Sequence, residues 1–190
     1  MGVPTIKTGP MTVEEFYGLT DTRPDEEKWE LIEGEPVLNA SPNRLHQRIL
    51  RNLVRGTEAF ERSGVGWELL PGLGVRISDR SRPEPDALIL PKNVSSDLLE
   101  RDRNDVIVAF EILSPSTRDR DLRWKRTAYT NLASLTHYVV IAQDMVDVVV
   151  FAREDAFAER HLLSLNDSIE LAALGISLPL SEIYRDTGLK

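Results

Sequence analysis

Val106-Ile107-Val108-Ala109-Phe110-Glu111-Ile112-Leu113, broken at once by Ser114-Pro115, is the stretch on which the fold turns. It is apolar on both faces, so it reads as a strand in the middle of a sheet. Period two puts its one carboxylate, Glu111, on the face of Ala109 and Leu113. An ionised carboxylate among such neighbours is costly unless compensated. A bound cation would compensate it, as would an arginine partner or exposure at the strand's end. The strand alone leaves these open.

Upstream, residues 84–90 form another strand signal, bounded by prolines and containing Pro85-Asp86. Two shorter runs, 65–70 and 73–77, are separated by Pro71-Gly72. A helix is expected from Ser41, as N-cap, and Pro42, as first helical residue, to about Glu61, stopping near Gly64. Leu45, Ile49, Leu53 and Phe60 mark its buried stripe. Residues 29–40 read as a hairpin about Glu33-Gly34, and Thr12-Val13-Glu14-Glu15 is a capping box opening a short helix.

Downstream of the decisive strand, residues 119–133 read as a helix with Asp121, Lys125 and Tyr129 at spacing four, hence on one face. A lysine near a metal could orient a water or stabilise charge on a phosphate. The plainer reading is a surface pair of Asp121 with Lys125, contributing about 0.3–0.5 kcal/mol. Further strands are expected at 138–142 and 146–151, a short helix at 94–100, and a final turn near 180–184. The result is a mixed α/β order in one domain, residues 1–190, with residues 1–10 loose.

Composition narrows the chemistry. The chain has 190 residues, 41% of them hydrophobic, and no cysteine, which excludes disulfides, zinc thiolates and cysteine nucleophiles. No apolar run is long enough for a signal peptide or a membrane span, so a cytoplasmic location is expected. The formal net charge is −8, whereas duplex-binding domains tend to be basic. Any nucleic acid must therefore be met by local patches. Arg44, Arg48, Arg51 and Arg55 form one stripe, readable also as a solvated helix face. Arg76, Arg80 and Arg82 form a second. Arg118, Arg120, Arg123 and Arg126 cluster beside Lys125, next to Glu111, and are the candidate nucleic-acid contacts. Gly72-Leu73-Gly74 lacks the context of a dinucleotide loop, and His46, His137 and His161 have no zinc spacing.

Taken in order, Pro85-Asp86, Glu111-Ile112-Leu113-Ser114-Pro115-Ser116-Thr117 and Asp121, Lys125, Tyr129 resemble a restriction endonuclease-like family of the PD-(D/E)xK nuclease superfamily, common in cyanobacteria and actinobacteria. Trp29-Glu30-Leu31-Ile32-Glu33-Gly34-Glu35 and His46 agree with it, and the resemblance spans roughly residues 11–185. It implies a restriction endonuclease-like core, a central mixed β-sheet flanked by α-helices. It implies an endonuclease that hydrolyses phosphodiester bonds of nucleic acid, DNA above all, with Mg²⁺ or Mn²⁺ held by Asp86, Glu111 and the Ile112 carbonyl. Lys125 would be catalytic, replacing the lysine usually found where Leu113 stands. Asp121 and Tyr129 would hold Lys125 in place. Glu30 would be a third acid, and His46 a supporting or phosphate-facing group; the plain readings are an exposed hairpin residue and a packing histidine. Two such sites would be paired in a homodimer. The alternative is a non-catalytic binding or regulatory module on the same fold.

Overall fold

The computed structural model describes residues 9–92, 99–113 and 120–190, with Arg120 and Asp121 described by their backbone alone. The expected short helix at 94–100 lies mostly outside the described residues.

Helix α1 (Val13–Thr20) opens with the expected capping box: the Thr12 hydroxyl accepts from the Glu15 N–H and the Glu15 carboxylate from the Thr12 N–H. Strands β1 (Trp29–Ile32) and β2 (Glu35–Leu38) then pair antiparallel. Their two-residue turn, Glu33 and Gly34, has φ of 52° and 87°. Positive φ at both central positions matches the right-handed twist of the strands. Helix α2 (Arg44–Glu61) begins later than Ser41-Pro42 suggests, because the Asn43 side chain caps it by accepting the His46 N–H at 3.0 Å. Ile49 and Leu53 are fully buried, but Leu45 faces solvent, which corrects the expected stripe.

Strands β3 (Trp67–Pro71), β4 (Gly74–Val75), β5 (Ala87–Pro91), β6 (Asp102–Arg103) and β7 (Val108–Leu113) follow. From Arg120 the chain forms a wide π turn over Arg120–Lys125 that tightens into α3 (Arg126–Thr130). This is shorter than the expected 119–133. Strands β8 (His137–Ala142), β9 (Val148–Ala152), β10 (Glu159–Leu162), β11 (Ser168–Leu171) and β12 (Ile176–Pro179) and helix α4 (Leu180–Ile183) complete the order.

The central sheet has the order β10-β9-β8-β7-β5-β3, with β7 and β8 parallel and every other pair antiparallel. All six residues of β7 are buried, as the reading of its two apolar faces requires. On one face, Ile49 and Leu53 of α2 and the β11–β12 hairpin pack over Phe110, Ile112, Val139 and Ile141. On the other, Ala109 and Leu113 meet Tyr129, Tyr138 and Phe151. Glu111 belongs by alternation to this second face. The parallel β7–β8 step obliges the chain to cross over, and that crossover carries Lys125 and Tyr129 onto the face of Glu111. No helix among the described residues is long and apolar enough to cross a membrane.

Candidate functional site

Three elements deliver side chains to the Glu111 end of β7. Strand β1 supplies Glu30, fully buried. The crossover supplies Lys125 and Tyr129. Asp86, just before β5, arrives from the neighbouring strand. Its N–H donates to the Phe110 carbonyl at 3.0 Å, and its Oδ2 accepts the Ile112 N–H at 2.7 Å. Asp86 is thus bonded to both chain neighbours of Glu111, which sets the two carboxylates side by side.

The Lys125 ammonium lies 2.7 Å from Glu111 Oε1 and 2.8 Å from Glu30 Oε1, with its side chain only 3% exposed. Tyr129 donates to the same Glu111 oxygen at 3.2 Å. The surface reading of Lys125 therefore does not hold. Neither does the exposed reading of Glu30, nor the reading of Glu111 as an exposed strand end. The Glu84 N–H donates to Glu30 Oε1 at 2.8 Å. Burial alone would raise the Glu30 carboxyl, but Lys125, the Glu84 N–H and Asn39 together hold it down at about 2.

A second cluster surrounds Asp86. His46 Nε2 is 3.2 Å from its Oδ2, and Lys28 Nζ is 3.1 Å from its Oδ1. Burial works against the charged form of Asp86, yet the His46 and Ile112 hydrogen bonds and the Lys28 charge keep its carboxyl well below the usual range. His46 is buried in the first turn of α2, with Nδ1 lacking a partner among the described residues.

Lys28 escaped the sequence reading. Burial disfavours its charge, but Asp86, Glu111 and Glu84 outweigh that and the nearby Lys125, raising its pKa. Its signal was there: it stands two residues before Glu30, so strand alternation puts both on one face. A further unforeseen link is the 3.0 Å bond from Trp124 Nε1 to Glu33 Oε1, which ties the hairpin of Glu30 to the turn of Lys125.

Not every expected residue converges. Arg118 and the Asp121 and Arg120 side chains lie outside the described residues. Arg123 is exposed. Arg126 donates to the Phe157 carbonyl at 2.9 Å and stacks over Phe151, 4.4 Å from the ring centroid, so packing against β9 occupies it. Arg82 is buried against Glu84 and the Arg101 carbonyl, and Arg76 pairs with Glu14 and Asp102. The 76–82 patch is therefore largely structural, with Arg80 exposed. His137 is buried at the start of β8, its Nδ1 3.0 Å from the Thr136 hydroxyl.

Asp86 and Glu111 are the side chains that could hold a divalent ion. Among the described residues no three acid or histidine side chains form a ready-made metal cluster. A pair of carboxylates is a donor set that an ion of the Mg²⁺ kind can use, with waters and substrate phosphate as its other ligands. Among the described residues, and with Glu84 paired to Arg82, the carboxylates of Glu30, Glu111 and Asp86 face the ammonium groups of Lys28 and Lys125, three charges against two.

A family model described as "Putative restriction endonuclease", the Uma2 family, matches residues 13–181. Among solved structures, a putative nuclease belonging to DUF820 from Anabaena variabilis ATCC 29413 superposes with a TM-score of 0.75 at 16% identity, covering 92% of this chain and 98% of its own. At that identity the likeness speaks for the fold. No curated protein matches the chain.

Proposed function

The chain belongs to the Uma2 family, and we propose that it is a divalent-metal-dependent endonuclease that hydrolyses phosphodiester bonds of nucleic acid, DNA above all. The observation carrying this reading is the side-by-side placement of Asp86 and Glu111, with the Lys125 ammonium 2.7 Å from Glu111. Asp86, Glu111 and the Ile112 carbonyl would hold Mg²⁺ or Mn²⁺. When bound, the ion supplies Lewis-acid polarisation of the phosphate and a more acidic water.

The chain's own residues do the rest. The Ile112 N–H and His46 aim Asp86. Lys125 and Tyr129 fix Glu111, and Glu30 fixes Lys125 from the opposite side. Lys125 then sits where it can stabilise charge growing on the phosphate oxygens. Exposed Arg123, with Arg118 and Arg120, would contact the strand's backbone. A homodimer would set two such sites against a duplex.

The test is cleavage of plasmid and single-stranded DNA with Mg²⁺ or Mn²⁺, with and without chelator. Asp86→Asn and Lys125→Met should be inactive, and full metal-dependent cleavage by Asp86→Asn would sink the reading. One observation favours a second reading, a non-catalytic module: the Lys125 ammonium is already engaged by two carboxylates. Calorimetry with Mn²⁺ discriminates, since such a module needs no ion.

A further inference from the structure

Of the two lysines described around Asp86 and Glu111, Lys125 is 3% exposed at its side chain and Lys28 29%. Of these two described ammonium groups, Lys28 is the one that reaches solvent and could meet an incoming phosphate. It also holds Asp86 Oδ1 at 3.1 Å, on a carboxylate whose other oxygen is taken by Ile112 N–H and His46.

We propose that Lys28 is a tethered counter-ion that gives up Asp86 to a divalent cation and transfers its ammonium to a phosphate of the nucleic-acid strand. The inference rests on the metal-dependent reading above and adds a residue and a sequence of events to it. The charge count carries the first half. With Lys28 in place and Glu84 paired to Arg82, three carboxylates face two ammonium groups among the described residues. A dication at Asp86 would turn the balance positive and set Lys28 against it at close range, where like charges repel strongly in a poorly hydrated site. The two then compete for Asp86 Oδ1. Asp86 is anchored through its other oxygen, whereas Lys28 is a flexible side chain with an open side, so Lys28 moves.

The second half follows from what the freed group can reach. Lys125 is bound on both sides by Glu30 and Glu111. Lys28 precedes β1, and its carbonyl accepts the N–H of Asn39, the residue after β2, at 2.9 Å. The anchor is fixed while the ammonium is free to swing. In the ion-free protein Lys28 suppresses repulsion among the acids. In the loaded protein it becomes a phosphate contact at the mouth of the site.

The experiment uses the full chain with Lys28→Met and, as a polar alternative, Lys28→Gln. Mn²⁺ alone is titrated by calorimetry, and a short phosphorothioate oligonucleotide is then bound in Ca²⁺ over a range of salt. Removing the competing charge should tighten Mn²⁺ roughly tenfold, the effect of one unit charge at short range. The same variants should bind the oligonucleotide more weakly, with the salt slope reduced by about one. Equal or weaker Mn²⁺ binding by both variants, while the native chain binds, overturns this inference alone. An unchanged salt slope overturns the transfer to phosphate. No Mn²⁺ uptake by any of the three proteins overturns the metal reading and this inference with it.

Discussion

Lys125 Nζ reaches Glu111 Oε1 at 2.7 Å from a π turn that lies over the central sheet, and both side chains are buried. A wide turn of this kind alters which residues face inward, and it is common where a side chain must be aimed. Burying two charges is repaid only when the geometry and the remaining hydrogen bonds are good. Here Glu30, Tyr129 and the Glu84 N–H complete the network.

Lys125→Met should therefore be destabilising as well as inactivating. It leaves Glu30 and Glu111 buried without their shared counter-charge, a loss of about 3–5 kcal/mol for a broken buried pair. Urea denaturation measures it. Adding Glu30→Gln to Lys125→Met should cost less than the two single changes summed, because each removes the other's partner. Simple additivity would mean that the Lys125–Glu30 contact is not formed in solution.

Acid should unfold the protein through this network. Glu30 has an ordinary carboxyl pKa of 4.5 when unfolded and about 2 when folded. The unfolded chain takes up the proton first as pH falls, so the stabilisation is complete above about 4.5 and is lost on descent toward 2. Asp86, held low as well, acts in the same direction. Denaturant midpoints measured across that range should fall steeply for the native chain and less steeply for Glu30→Gln. Equal slopes would show that Glu30 does not carry the effect.

Replacing Asp86 separates charge from architecture. Its Oδ2 is the acceptor for the buried Ile112 N–H. Asp86→Ala orphans that donor, at about 1–3 kcal/mol, besides removing the ligand. An asparagine oxygen keeps that bond, while its amide nitrogen, a donor, replaces the oxygen that accepts from Lys28. Asp86→Asn should thus melt below the native protein, since Lys28 and His46 lose their carboxylate, but above Asp86→Ala, and neither variant should take up Mn²⁺. Thermal melts beside calorimetry test this; equal melting by the two variants would contradict the Ile112 contact.

The sequence made the framework legible because its signals are local. The both-faced apolarity of β7, the turn at Glu33-Gly34 and the Thr12 box each follow from a few adjacent residues. Spacing four put Lys125 and Tyr129 on one face, which survives the π turn. What it could not convey was the pairing across distant elements. Nothing near Lys28 announces Asp86, and nothing near Trp124 announces Glu33. Arg82 looked like a surface cation because its partners, Glu84 and the Arg101 carbonyl, are brought to it only by folding. Leu45 read as core because helical periodicity marks a face but cannot tell how far along the helix that face is covered.

The last prediction concerns how the site is supported from below. An alanine methyl at Gly74 would collide with the Arg82 guanidinium. That group is buried, donates to Glu84 Oε2 and to the Arg101 carbonyl at 2.7 Å each, and cannot swing aside without giving them up. Gly74→Ala should therefore cost about 1–3 kcal/mol as an overpacked site. The displacement should also travel, since the Glu84 N–H holds Glu30 and Glu30 holds Lys125. Gly18→Ala is the control: it lies inside α1 with open space around its would-be methyl, and should stabilise by roughly 0.4–1 kcal/mol through the unfolded chain. Urea midpoints for the two variants should move in opposite directions, and only Gly74→Ala should lower metal-dependent cleavage. If Gly74→Ala is neutral in both measurements, Arg82 does not brace the Glu30 side of the site.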